Sequence, residues 1–240
     1  MAKSQRKEES QRKEECPVPL AHDRFVEAHW HLHQMMDNYH NPMTFRYSTN
    51  AFLSSLKSSV TMLQLDLERL GQNEWRKART ESLRGNALFV SFSKGRDVVA
   101  HRGSLVRNSN IQAGVFRGRK LKLVLEINLD NDLPSTEILQ RLQRQNKILQ
   151  LVDEEHSAIS EQLGVWRSYR EPALSADEDV LTASDRVWRI VGQLMNDAHQ
   201  RLGYRIDDFD SPLTEHHDTS IVDTLLETDI DPSLVEKWGW

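Results

Sequence analysis

Apolar residues recur at helical spacing through most of the first half of the chain. Between His22 and Tyr39 they fall at alternating steps of four and three residues, which is typical of an amphipathic helix. Asn41-Pro42 should end this helix, because proline disfavours helical backbone in the residue before it. The most regular stripe follows and predicts a second helix over about 44–70, with Gly71 as its C-cap.

Two further helices are predicted before residue 110. A short one covers about 74–83 and ends at Gly85, and the next runs over about 86–107 with Gly95 on its core side. Four helices in succession, joined by short connections, are typical of a bundle.

After Ser109 the period of the pattern changes from 3.6 to 2. Apolar and polar residues alternate over 111–129 and the chain reverses at Arg117-Gly118-Arg119, which predicts a β-hairpin with a basic tip. A lone hairpin is marginally stable, so it should pack on helices or pair with another chain. A long helix is predicted from about 134 to 163, and a last amphipathic helix over about 183–202.

The fold class predicted is mainly α: a helical bundle with an inserted β-hairpin at about 111–129 and an acidic C-terminal tail. The first segment, 1–19, is a charged extension in which SQRKEE occurs twice, and its composition is typical of disorder. The bundle takes residues 20–110. Residues 111–205 hold the hairpin and two long helices packed on the bundle, and the tail takes 206–240.

Charge divides the chain into unlike halves. The whole sequence has 31 basic and 36 acidic residues, for a net charge of -5. Residues 1–125 carry 21 basic against 12 acidic side chains, and the basic ones concentrate over 69–122. The stretch 206–236 has ten acids and no Lys or Arg. This pattern is typical of a polyanion binder with a competing acidic segment; the alternative is a charged surface whose two halves attract each other.

Several classes of protein are excluded. No apolar run approaches the ~20 residues of a membrane-spanning helix, and the polar N-terminus lacks the apolar core of a signal peptide. A single cysteine, Cys16, excludes a disulfide framework and a Cys-rich metal site. Gly-rich phosphate loops, GxSxG and HExxH are absent. We therefore expect a cytoplasmic protein with no membrane partner.

The histidines near the N-terminus are the first candidates for metal binding. His29 and His33 have the i,i+4 spacing of helical metal ligands, but no third ligand follows at a useful spacing. The pair His216-His217 in the tail is a weaker candidate still. His29 also lies on the apolar stripe, where a buried, hydrogen-bonded histidine is the commoner outcome. We therefore predict no metal and no other cofactor.

The segment that carries the most chemistry places Arg96, Asp97 and His101 on one predicted helix. A histidine can move a proton at a 2'-hydroxyl or at a leaving oxygen near neutral pH, and an arginine can neutralise the phosphate. Asp97 lies four residues before His101, within reach of the imidazole. At about 100° per residue, Arg96 and His101 point about 140° apart, so a long arginine side chain or a second copy of the chain would complete the site. The alternative is an ion-paired or hydrogen-bonded contact between helices.

A second Arg-x4-His match, Arg24 to His29, provides an internal comparison. His29 lies on the core stripe of its helix, whereas His101 points away from its own and shares a second stripe with Val98 and Leu105. A second stripe suits a second packing surface. We therefore predict a homodimer with His101 near the interface.

The stretch RDVVAH at 96–101, in the fourth helix of an all-helical half, resembles the Arg-polar-x3-His signature of the HEPN superfamily. The segment 39–64 is similar to uncharacterised bacterial helical proteins that end in a similar motif, and the resemblance covers about 22–108. It implies a bundle of four to five helices, often a homodimer with both motifs in one cleft. Many members are metal-independent endoribonucleases of toxin–antitoxin, phage-defence and CRISPR systems; others are inactive binding modules. By resemblance Arg96 and His101 would be catalytic and Asp97 the polar residue, where asparagine is frequent.

The function expected is therefore a HEPN-like endoribonuclease, a toxin or defence component with an antitoxin or regulatory partner. RNA would lie along a basic patch made of Arg84, Lys94, Arg102, Arg107, Arg117, Arg119 and Lys120. The alternative is a catalytically inactive helical-bundle binding protein; a third reading is an acidic interaction protein whose tail mimics nucleic acid. The tail would either cover the basic region and compete with RNA or be solvated without a role.

Overall fold

The structure is a computed structural model that describes residues 16–103, 105–106, 109–117, 119–124, 130–143, 161–204, 217, 219 and 223–226. The charged extension is predicted over 1–19, and its residues 1–15 lie outside this part of the chain. The prediction is wrong for the remaining four residues, because Val18 is fully buried and Pro19 begins the first helix. The described helices are α1 (Pro19–Asp37), α2 (Pro42–Arg69), α3 (Asn73–Gly85), α4 (Ala87–Arg102), α5 (Ser135–Gln143) and α6 (Val180–Arg201). The described strands are β1 (Asn110–Arg117), β2 (Lys120–Val124), β3 (Glu161–Ser168) and β4 (Thr224–Leu226). The fold is mainly α, as predicted, and none of these helices is long and apolar enough to cross a bilayer.

Helices α1 and α2 form the hairpin on which the bundle is built. Both begin with a proline in the first turn, where the missing N–H costs no hydrogen bond. Asn41 separates them, and its side-chain oxygen accepts a hydrogen bond from the amide of Thr44 at 3.2 Å, so it caps α2. Gly71, with φ of 72°, follows the C-terminus of α2. The break predicted at Asn41-Pro42 is confirmed. The C-cap of α2 is Leu70, one residue before the Gly71 that the sequence predicts.

Helix α4 is shorter than its sequence pattern predicts. The side chain of Asn86 caps it by accepting from the amide of Phe89 at 3.0 Å. The helix ends at Arg102 because Gly103 turns into the left-handed region with φ of 101°, so the predicted end near residue 107 is wrong. Gly95 is buried on the core side, as predicted, and a Cβ there would lie 2.5 Å from Cδ2 of Leu174.

One apolar core joins α1, α2 and α4 to α6, together with Tyr169 and Leu174. Helix α6 therefore belongs to the bundle rather than to a layer outside it. A second, smaller core lies between α5 and the sheet and consists of Ala113, Ile138, Leu139, Leu142 and Val165. The predicted unit 111–205 thus contributes to two cores.

The sheet has the strand order β2-β1-β3-β4, and every neighbouring pair is antiparallel. The predicted hairpin is confirmed as β1 and β2. The helix predicted to continue to Leu163 is wrong at its end, since Leu163 lies in β3 and pairs with Val115 of β1. The helical spacing of apolar residues carries no information about the open edge of β1. Residues 161–168 form a strand because they pair with that edge.

A fully buried arginine fixes the chain before α5 to the sheet. The guanidinium of Arg167 donates to the hydroxyl oxygens of Ser109, at 2.6 Å, and Ser135, at 3.1 Å. It also donates to the carbonyl oxygens of Asn131, at 3.0 Å, and Leu133, at 2.5 Å. Burial lowers the pKa of this guanidinium, but these four acceptors compensate its desolvation.

Parts of the acidic tail are packed on the sheet and the bundle. The amide of Arg167 donates to the carbonyl oxygen of Asp223 at 2.9 Å, and the indole of Trp166 donates to the Asp223 carboxylate at 3.0 Å. Strand β4 follows directly and pairs with β3. His217 is buried, with 5% of its surface exposed. The interpretation of the tail as solvated is therefore wrong for these residues.

The start of α6 is held by a carboxylate that joins three elements. Asp179 caps α6 by accepting from the amide of Leu181 at 2.8 Å. Its other oxygen accepts from the hydroxyl of Tyr39, beyond the end of α1, at 2.6 Å and from the amide of Tyr169, beyond the end of β3, at 2.7 Å. Burial and the neighbouring Asp179 carboxylate raise the pKa of Tyr39 far above its usual range, so this hydroxyl remains a donor.

We predict that Asp179→Ala lowers the free energy of unfolding by about 2–4 kcal/mol. The loss combines about 1 kcal/mol for the cap with about 1–3 kcal/mol for the buried hydroxyl of Tyr39 left without its acceptor. Urea unfolding measures the change, and Asp177→Ala, at an exposed position two residues earlier, is the matched control. Equal stability of the two variants would contradict this role.

Candidate functional site

The three predicted catalytic residues lie on the outer side of α4. The side chain of Arg96 is 35% exposed and that of Asp97 51% exposed, and His101 is exposed in the last turn. The Asp97 carboxylate accepts from Lys57 of α2 at 2.6 Å and from Arg96 at 3.4 Å. The structure therefore brings Lys57 to this site, a residue that the sequence analysis missed because it lies on another helix.

Asp97 does not have the role that its spacing suggests. The hydrogen bond from Lys57 is the largest effect that lowers the pKa of Asp97, so this group is a carboxylate at neutral pH. Lys57 and Arg96 both donate hydrogen bonds to the Asp97 carboxylate. None of the described residues makes a hydrogen bond or ion pair with His101. The predicted bond between Asp97 and the His101 imidazole is therefore wrong, because a cation is a stronger partner for a carboxylate than a neutral imidazole.

The two Arg-x4-His matches differ as their helix phases predict. His29 is buried, with 8% of its surface exposed, whereas His101 is exposed. On the second stripe, Val98 is half-buried and Leu105 packs against the bundle core of its own chain. Part of the surface predicted for a dimer is thus used within one chain. The inter-helix contact considered as an alternative exists, but Asp97 and Lys57 make it.

The predicted RNA-binding residues lie in two groups along the chain. The first group lies on α3 and α4. Arg84, at the end of α3, and Lys94, on α4, have exposed side chains, and Arg102 is the last residue of α4. The second consists of Arg117, Arg119 and Lys120 at the tip of the β1–β2 hairpin, which we call the hairpin tip. Arg107 lies outside the described residues. At the hairpin tip, Arg119 is ion-paired with Asp223 of the tail at 2.5 Å.

A thiol and two imidazoles lie close together at one end of the interface between α1 and α6, which we call the seam. The Sγ atom of Cys16 lies 3.2 Å from Nε2 of His199 and 3.7 Å from Nδ1 of His22. Nδ1 of His199 donates to the carbonyl oxygen of Met195 at 2.7 Å, which leaves its Nε2 as an acceptor for the thiol. Burial raises the pKa of the Cys16 thiol, so this group holds its proton. We call it the Cys16 cluster.

Further along the same seam lies a second group, the His217 cluster, made of His29, His33 and His217. Nε2 of His29 is 3.0 Å from Nε2 of His217 and 3.1 Å from Nε2 of His33. The donor atoms of each cluster lie within 4.8 Å of one another, a separation that a single metal ion can span. The expectation that His29 and His33 lack a third partner missed His217, which lies 188 residues from His29 along the chain.

The sequence profile of the bacteriophage lambda protein ea47 family matches residues 8–227. The chain belongs to the ea47 family. No curated protein and no solved structure matches it. The matched range of this ea47-family chain includes the bundle, the sheet, His217 and Asp223, and the match connects it to a phage protein family without assigning an activity.

We predict that the ea47-family chain loses stability in mild acid through its Cys16 cluster. Burial lowers the pKa of His22 and of His199, and His199 lowers that of His22 further. The folded chain thus binds fewer protons than the unfolded chain, whose histidines have a pKa of about 6.5, so stability is present above that pH and is lost as the pH falls below it.

The urea midpoint should be lower at about pH 5.5 than at about pH 7.5, and the drop should be smaller in His22→Leu. A midpoint that is unchanged or higher at the lower pH would contradict the prediction.

Proposed function

We propose that this ea47-family protein is an endoribonuclease of HEPN type, with Arg96 binding phosphate and His101 acting as the acid–base group. The observation that supports this most is the position of His101. Its imidazole is exposed, has no bond to the described residues, and lies on the helix that also presents Arg96 and Lys94. An exposed histidine near cations that attract phosphate is suited to proton transfer on RNA.

The reaction that fits these groups is RNA cleavage by attack of a ribose 2'-hydroxyl on the adjacent phosphodiester. His101 removes the proton of the 2'-hydroxyl, the 2'-oxygen attacks phosphorus, and the 5'-oxygen leaves with a proton, which yields a 2',3'-cyclic phosphate and a 5'-hydroxyl. Arg96 neutralises the charge that develops on the phosphate. Its contact with Asp97 is long, at 3.4 Å, and largely solvated, so little free energy is lost when the guanidinium turns to RNA.

A second copy of the chain completes the proposed site. On one straight helix Arg96 and His101 point about 140° apart. In the dimer, Arg96 of one copy would therefore act on the same phosphate as His101 of the other copy. The second histidine would then supply the proton to the leaving oxygen. We accordingly propose a homodimer that acts on cytoplasmic RNA, as a toxin or defence component with an antitoxin or regulatory partner.

We predict that His101→Ala and Arg96→Ala each reduce RNA cleavage by about 100-fold or more. Neither side chain has a buried partner among the described residues, so each change should alter the free energy of unfolding by less than about 0.5 kcal/mol. Cleavage of a labelled hairpin RNA, followed on gels, measures the rate. The control is His31→Ala, which removes a half-buried histidine from α1 and should leave the rate unchanged.

Absence of cleavage by the wild type, or an equal rate in all three variants, would contradict the enzyme proposal.

The second candidate, an inactive binding protein, is favoured by one observation: Asp97 and Lys57 form a salt bridge that connects α4 to α2, so part of the motif has a structural use. That protein would bind RNA with a steep salt dependence and never cut it.

A further prediction concerns the ion pair between the tail and the hairpin tip. Asp223→Asn removes the carboxylate charge that competes with RNA at Arg119, so affinity for RNA should rise severalfold at low salt and less at high salt. Fluorescence anisotropy at about 50 and about 200 mM salt measures the change. Asp23→Asn removes the same charge from an exposed position on α1 and is the control. Equal affinities in the two variants would mean that Arg119 does not contact RNA.

A further inference from the structure

The three Nε2 atoms of the His217 cluster converge on one point of the seam between α1 and α6. His29 and His33 are one turn apart on α1 and present their rings to the same side. His217 arrives from the C-terminal segment and brings its own Nε2 to 3.0 Å from that of His29. His29 and His217 are buried, and His33 is half-buried.

One ring nitrogen of His29 cannot form a hydrogen bond in each of its two close contacts. An imidazole nitrogen has either one proton or one lone pair in the ring plane, so Nε2 of His29 can make one good hydrogen bond. It lies within 3.1 Å of two other ring nitrogens. The Cys16 cluster is different, because its thiol proton and the Met195 carbonyl give each close contact a donor and an acceptor.

A metal ion accepts all three lone pairs at once. Zinc binds imidazole nitrogen at about 2.0–2.1 Å in tetrahedral geometry, which places two ligand nitrogens about 3.3–3.4 Å apart. The observed separations of 3.0 and 3.1 Å are within a few tenths of an ångström of that value. The third separation is below 4.8 Å.

The surroundings of His217 are those of a metal ligand. Its Nδ1 donates to Oδ1 of Asp185 at 2.8 Å, which fixes the tautomer that presents the Nε2 lone pair. Arg189 holds the other oxygen of Asp185 at 2.9 Å. Trp188 stacks on the ring of His29, with centroids 4.7 Å apart, and limits its rotation.

We propose that His29, His33 and His217 bind a divalent transition-metal ion of the class that imidazole prefers, with zinc as the representative. Three protein ligands leave a fourth position on the half-buried side, next to His33. The ion joins α1 to the C-terminal segment, whose Asp223 is paired with Arg119 at the hairpin tip. This site is independent of the proposed ribonuclease site, since it shares no residue with it.

The test is zinc binding to the full chain after removal of metal by a chelator. We use Cys16→Ser as the parent protein, so that the Cys16 cluster offers no thiolate. Calorimetry should give one zinc ion per chain, and zinc should raise the melting temperature. His33→Ala in this parent should weaken zinc by about tenfold or more and abolish the shift in melting temperature. His33 is chosen because its half-buried side chain can be removed with little effect on folding.

The matched control is His31→Ala in the same parent, which removes a neighbouring histidine of α1 that is not in the cluster and should leave zinc affinity unchanged. Asp185→Asn keeps an acceptor oxygen for Nδ1 of His217 and should weaken zinc less than His33→Ala does. Three results would each overturn the proposal: no binding at micromolar zinc, equal affinity in parent and His33→Ala, or binding that only the wild type shows and that Cys16→Ser removes.

Discussion

The position of α6 on α1 is the constraint on which the rest of this structure depends. Asp179 fixes its first turn to Tyr39 and Tyr169. Two turns later Trp188 is fully buried and stacks on Phe25, with ring centroids 5.1 Å apart. Once the cap and the indole are in place, the register of α6 is set. This packing brings His199 of α6 close to His22 of α1, and Trp188 of α6 against His29 of α1.

Histidine side chains lie in opposite environments in the seam and on the outer side of α4. Burial lowers the pKa of His22 and His199 in the seam, so these two imidazoles are suited to neutral hydrogen bonding. His101, in contrast, is exposed to solvent on α4. The proposed ribonuclease site and the proposed metal site therefore lie in different environments of one chain.

The sequence predicts what depends on local pattern and fails where distant segments meet. The break at Asn41, the β1–β2 hairpin and the burial of His29 follow from cap chemistry, alternation and helix phase, and all are confirmed. Strand β3 and the burial of His217 depend on pairing across long separations, which periodicity does not encode. Lys57 was missed for the same reason, because its contact with Asp97 exists only after two helices pack.

We propose that RNA cleavage depends on α4 and metal binding on the seam, and that neither needs the other. The most direct test is the rate of RNA cleavage by the full chain, measured first without metal and then with one zinc ion bound per chain. The account predicts the same rate in both states, with only the melting temperature changed by zinc. Cleavage that occurs only in the zinc-loaded protein and disappears in His33→Ala would contradict it and assign the chemistry to the His217 cluster.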